Sequence, residues 1–333
     1  MQALAAFRDA RISRALRLAV AVAALAVAGC AGTPRFDGTS LPAVELDDVP
    51  FFPQTDYQCG PAALATILAH EGLPVDADAL VPAVYIEGLR GSLQAELLAA
   101  TRRHGLVPYR LRPDPDALLA EVSSGKPVLV LQNLGLDRFP VWHYAVVVGF
   151  DPSRGDVLLR SGTERRRRER VSRFLRSWAR AGYWAFVAAA PDEPPVTADA
   201  DGWIRAVTDA AHVLAPSSAD AALRAATSRW PTAPIVMYAS AVRLGEAGRW
   251  QDAARAYAAL LESDPGNAAA RNNLANMLAE GGCFDEALRQ ARAALASVRA
   301  DSPLRPAIED TVATLLRRSD GAAVEPDSCA SFP

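Results

Sequence analysis

Residues 50–70 read PFFPQTDYQCGPAALATILAH, and a lone cysteine, Cys59, stands there immediately before Gly60-Pro61 and an Ala/Leu/Ile-rich run. Proline suits the first turn of a helix, because its missing N–H has no intrahelical partner there. Ala62, Ala63, Leu64, Ala65, Ile67, Leu68 and Ala69 are good helix material and nearly all apolar, so the run predicts a buried helix. That places the Cys59 thiol at the helix N-terminus, where unpaired N–H groups and the macrodipole favour a thiolate. Gln54, five residues upstream, carries an amide N–H₂ suited to a developing oxyanion. A buried structural cysteine opening a core helix is the plainer reading of the same residues.

Downstream the pattern is helical at first. Asp76 caps a short helix over 77–84, Ser92 caps another through His104 with Gly105 as its stop, and Asp114-Pro115 starts a third ending near Gly125. The β-branched runs Pro127–Gln132, His143–Gly149 and Asp156–Arg160, with Tyr183–Ala188, then predict strands, and Asp151-Pro-Ser-Arg-Gly155 is a turn. Helices first and an antiparallel sheet after is an α+β order. His143 opens the central strand. A cysteine at a helix start and a histidine at a strand start, far apart in sequence, form the Cys–His nucleophile–base pattern. His70 is poorly placed for that role, about 16 Å along the helix from the thiol at 1.5 Å per residue. His104 sits beside Arg102 and Arg103 at a helix end, and His212 belongs to the other half of the chain.

Gln54 with Tyr57-Gln58-Cys59-Gly60-Pro61-Ala62-Ala63-Leu64, then Pro127-Val-Leu-Val, then His143-Tyr-Ala-Val-Val-Val-Gly149, resembles the papain-like cysteine peptidases that process double-glycine leader peptides of bacteriocins. The resemblance implies an α+β papain-like domain over 49–190, a peptide or protein substrate, and no cofactor or metal. It makes Cys59 the nucleophile, His143 the general base and Gln54 the oxyanion-hole donor. The family's Asp-Pro after the His strand is replaced here by Arg160-Ser161-Gly162. Folding the hairpin about Ser153 brings residues near 161–163 opposite His143. Folding the preceding hairpin about Asp137 and Arg138 brings Asn133 opposite it. Asn133 or Ser161 is therefore expected to orient the ring, as Asn does in papain-like enzymes generally. The basic run Arg165–Arg168 with Arg170 reads as a solvated loop or a helix start.

At the other end, Arg8, Arg11, Arg14 and Arg17 precede the apolar run Leu18–Gly29. That run is too short to span a bilayer and suits the h-region of a signal peptide. Val27-Ala28-Gly29-Cys30 resembles the bacterial lipobox, which implies a signal peptide over 1–29, lipidation of Cys30 and a tether over 30–48. Ala31-Gly32 after the cysteine implies the periplasmic face of the outer membrane, reached through the lipid anchor. Residues 191–202 have a linker's composition, and residues 203–333 are helical and repetitive. Gly248-Arg-Trp250-Gln-Asp-Ala253 recurs as Gly282-Cys-Phe284-Asp-Glu-Ala287, an offset of 34 residues. This resembles the tetratricopeptide repeat, with 203–231 a degenerate first repeat and 303–318 a capping helix. Such arrays imply a protein or peptide partner in a concave groove.

A chain of 333 residues suits two domains, and a net charge of −3 argues against a nucleic-acid binder. With Cys30 assigned to lipid and Cys59 to chemistry, Cys283 and Cys329 are left to form a disulfide in an oxidising compartment. The function expected is a lipid-anchored cysteine peptidase whose repeats recruit a substrate or partner. The alternatives are a catalytically impaired papain-like scaffold lipoprotein and an amidase- or transglutaminase-like acyl transferase.

Overall fold

A computed structural model describes residues 42–54, 58–319 and 329. The expected signal peptide, the proposed lipidation site Cys30 and most of the expected tether lie outside the described residues. Strand β1 (Val44–Glu45) is followed by helix α1 (Cys59–His70) and helix α2 (Ala77–Val84). A two-stranded hairpin, β2 (Tyr85–Ile86) with β3 (Gly91–Ser92), leads into helix α3 (Gln94–Arg103), strand β4 (Val107–Arg110) and helix α4 (Pro115–Ser123). Strands β5 (Val128–Asn133), β6 (Trp142–Asp151), β7 (Asp156–Ser161) and β8 (Glu164–Arg170) form a meander, which helix α5 (Val171–Ala179) and strand β9 (Ala185–Ala189) complete. The strand order is β4-β9-β5-β6-β7-β8, with β1 on the far end of β6.

Alternation along a strand sends successive side chains to opposite faces. Leu129, Leu131, Val146 and Val148 meet Leu64, Ile67 and Leu68 of α1 on one face. Val130, Ala145, Val147 and Leu159 meet Phe174 and Trp178 of α5 on the other. β5 is buried along its whole length, as a strand covered on both faces must be. The caps expected at Asp76 and Asp114 form: their Oδ1 atoms accept the N–H groups of Asp78 and Asp116 at 3.2 and 3.0 Å. Ser92 caps nothing. It lies in β3, and α3 starts after Leu93 without a side-chain cap bond.

Two further expectations are corrected. Residues 165–170 are an edge strand, not a loop, and acids from elsewhere in the chain neutralise them: Glu45 pairs with Arg166, and Asp156 with Arg168 and Arg170. Charged side chains on an edge strand also block pairing with another chain. The segment 191–202 is not a free linker. Arg229 donates to the carbonyls of Pro194, Pro195 and Val196, and Thr197 donates through N and Oγ1 to the buried Glu121 at 2.8 and 2.6 Å.

Helix α6 (Ala200–Ala210) follows at once, with Trp203 fully buried against Tyr109 of β4 in the same core as α5. Helices α7 (Pro216–Arg229), α8 (Pro234–Glu246), α9 (Trp250–Ser263), α10 (Ala268–Glu280), α11 (Phe284–Ser297) and α12 (Arg305–Ser319) stack in order. Gly248 and Gly282, one repeat apart, both turn with positive φ (72° and 81°). The Trp250 ring lies where a Cβ on Gly281 would stand, which is why the helix pairs approach so closely. Cys283 and Cys329 are joined by a disulfide with Cα atoms 5.4 Å apart.

Candidate active site

Two hydrogen bonds and a shared cleft bring the distant sequence blocks together at one end of the sheet. The backbone N–H of Gln54 donates to Gly162 O at 3.0 Å, in the turn between β7 and β8. The neighbour of Gly162, Ser161, is buried and its Oγ lies 2.8 Å from Nε2 of His143. The neighbour of His143, Tyr144, lines the same cleft as Cys59.

Among the described residues Nδ1 of His143 has no hydrogen-bond partner, and the ring and thiol are not bonded to each other at rest. Burial pushes the Cys59 thiol above its usual pKa, and the N–H groups of Tyr144, Gly60 and Cys59 itself pull the other way. Burial is the larger effect, so the helix start does not hold a standing thiolate, contrary to expectation. The imidazole is pushed down to about 4, first by burial and then by the Arg167 guanidinium. Each partner is neutral because a charge on either would be desolvated.

Ser161 is the residue bonded to the ring; Asn133 is not. The register pairs Gln132 with His143 and Asn133 with Trp142, and a shift of one residue turns a side chain to the other face. Asn133 instead builds the β5–β6 hairpin, its Oδ1 accepting the N–H groups of Gly135 and Val141 at 3.0 Å each. Gln132 is engaged elsewhere, donating to Ser177 Oγ at 2.7 Å. Arg160 donates to the carbonyls of Leu46 and Val49, and so ties the approach to α1 onto β7. Its neighbour Arg165 and the stretch 46–49 therefore belong to the support of the site, which composition alone did not reveal. His70 bonds to Gly125 O and His104 to Ala100 O, both away from the thiol.

Gly60 packs where any larger residue would overlap Ser92. Tyr144 steadies the same wall, donating from Oη to Ser92 O at 3.1 Å. Cys59 opens onto a cleft of about 730 Å³ between the β2–β3 hairpin and the start of β6. No group of three or more His, Cys, Asp or Glu is arranged to hold a metal ion among the described residues.

Residues 46–186 match the model of the Peptidase_C39 like family, and residues 245–310 match that of the tetratricopeptide repeat. A solved structure of a C39-like peptidase from Bacillus anthracis is 19% identical over 46% of this chain and 98% of its own, with a TM-score of 0.38. The peptidase domain of Streptococcus ComA, a bi-functional ABC transporter involved in a quorum sensing pathway, is 21% identical over 42% of this chain and 98% of its own, with a TM-score of 0.34. The type III secretion translocator chaperone SycD of Yersinia enterocolitica is 12% identical over 36% of this chain and 85% of its own, with a TM-score of 0.33. No curated protein matches the chain. The architecture is an α+β C39-like peptidase domain followed by a helical region that matches tetratricopeptide repeats.

Proposed function

We propose that this protein is a cysteine peptidase that hydrolyses peptide bonds with Cys59 and His143. The linked contacts Gln54–Gly162 and Ser161–His143, with Cys59 and Tyr144 lining one cleft, are the observation that carries this reading. Sγ of Cys59 attacks the scissile carbonyl carbon while its proton passes to the open Nδ1 of His143. Transfer accompanies attack because both groups start neutral. The oxyanion takes hydrogen bonds from the Gln54 amide and from N–H groups at the start of α1. The imidazolium then protonates the leaving amine, and water delivered through the same ring hydrolyses the thioester. With Nδ1 as the base the ring carries its hydrogen on Nε2, so Ser161 Oγ accepts from Nε2–H and fixes the ring plane; being neutral, it stabilises the imidazolium less than a carboxylate does.

The repeats recruit a protein substrate or partner. Lipidation at Cys30 would hold the chain on the periplasmic face of the outer membrane, a setting that suits the Cys283–Cys329 disulfide. A second reading, an impaired scaffold, draws on the weakly basic His143 and the neutral Ser161 beside it. Digestion of a mixed peptide library, read by mass spectrometry, separates the two. New termini are expected with the parent protein and none with Cys59→Ser or His143→Ala of equal Tm. No cleavage by the parent would leave the scaffold reading.

A further inference from the structure

The cleft that Cys59 shares has walls unlike those of a site for glycines. Leu89 and Leu93 on the β2–β3 side stand 61% and 47% exposed, and Val141 and Trp142 on the β6 side stand 56% and 54% exposed. Leu131 and Tyr144 form the floor between them. Scattered exposed apolar residues need no explanation, but these line one concavity that also contains the candidate nucleophile. No carboxylate is present among its described lining residues. A backbone carrying glycines at the scissile bond would leave both walls in water.

Building on the peptidase reading, we propose that the cleft selects peptides with a bulky apolar side chain within two residues of the scissile bond. That side chain lies over Leu131 and Tyr144, between Leu89 and Leu93 on one wall and Val141 and Trp142 on the other. Glycine-only sequences are discriminated against, because glycine covers none of the apolar walls. The walls' apolar residues are free to serve recognition because the core is built without them: the buried clusters on both sheet faces contain none of Leu89, Leu93, Val141 or Trp142.

The test is the rate at which Cys59 of the full chain is alkylated, read by mass spectrometry. The probes are iodoacetamide and dipeptidyl chloromethyl ketones bearing Gly-Gly, Leu-Gly or Gly-Leu. At least one leucine reagent is expected to react about tenfold faster than the Gly-Gly reagent. Val141→Asp and Leu93→Asp, at exposed positions, should bring that ratio near one, each rate being taken relative to the same variant's rate with iodoacetamide. Equal rates for Leu and Gly-Gly reagents, with iodoacetamide still reacting, would overturn the selectivity and leave the thiol chemistry standing. No labelling of Cys59 by any reagent would overturn both. A dimer that Val141→Asp dissociates, with reagent selectivity unaltered, would assign the walls to self-association instead and overturn the proposal.

Discussion

Replacing Ser161 by Ala removes the one hydrogen bond held by the His143 ring among the described residues, 2.8 Å to Nε2. Ser161 is 3% exposed, so the change deletes a single buried oxygen and barely alters packing. A neutral hydrogen bond contributes about 0.5–1.5 kcal/mol, and about 1.4 kcal/mol is a factor of ten in rate. A fall of about two- to tenfold in kcat/KM is therefore expected, with little change in Tm. Ser161→Asp asks the converse question. A carboxylate beside the ring favours the imidazolium and raises its pKa from about 4. Because the base must be unprotonated to act, the acid limb of kcat/KM moves upward: the parent keeps its activity at pH 5 and Ser161→Asp loses part of it. The assay is hydrolysis of a fluorogenic peptide between pH 3.5 and 8. A Ser161→Ala protein with the parent's kcat/KM throughout, and a Ser161→Asp protein with an unmoved acid limb, would refute the assignment of Ser161 to the ring.

The same depressed imidazole links stability to pH. Native His143 stays neutral down to about 4, whereas an unfolded His binds its proton below about 6.5. The unfolded state therefore holds more protons across that window, and stability falls as pH drops from 6.5 to 4, by up to about 3 kcal/mol. Urea melts at three pH values should show this slope reduced in His143→Gln; an unchanged slope would assign it to other groups. Gly60→Ala places a Cβ on the Ser92 side chain and should destabilise by about 1–3 kcal/mol, with part of the loss restored by adding Ser92→Gly. Cys329→Ser opens a disulfide spanning 46 residues, and chain entropy puts its contribution at about 4 kcal/mol. The melt of the repeat half should come earlier, and a reducing agent should produce the same melt in the parent.

How much of this was legible follows from the range of each interaction. Asp76 and Asp114 act on N–H groups two residues away, so their caps can be read locally. The offset of the repeats is likewise written in the chain, through Gly248 and Gly282 at equivalent turns. The strand Glu164–Arg170 could not be read, because seven charged residues in a row carry no apolar alternation. Its stability comes from Glu45, Asp151 and Asp156, which only folding brings near. The Pro/Asp-rich stretch before α6 failed in the same way, since the Arg229 that holds its carbonyls lies over thirty residues on.

At the candidate site, Cys59, His143 and Gln54 are proposed from helix start, strand start and block order, all of which can be read along the chain. Choosing between Asn133 and Ser161 needed the hairpin register, which rests on the Leu136–Phe139 bridge. The state of the thiol needed burial, which outweighs the helix terminus at Cys59. The apolar walls of the cleft gave no sequence signal at all, because two hairpins remote in the chain supply them.

The most direct measurement of the pairing is the rate of Cys59 alkylation by iodoacetamide at pH 6, in the parent and in His143→Ala of equal Tm. If the imidazole takes the thiol proton, the parent reacts at least tenfold faster. Equal rates would mean that sulfur and ring do not act together, and the peptidase reading would fall.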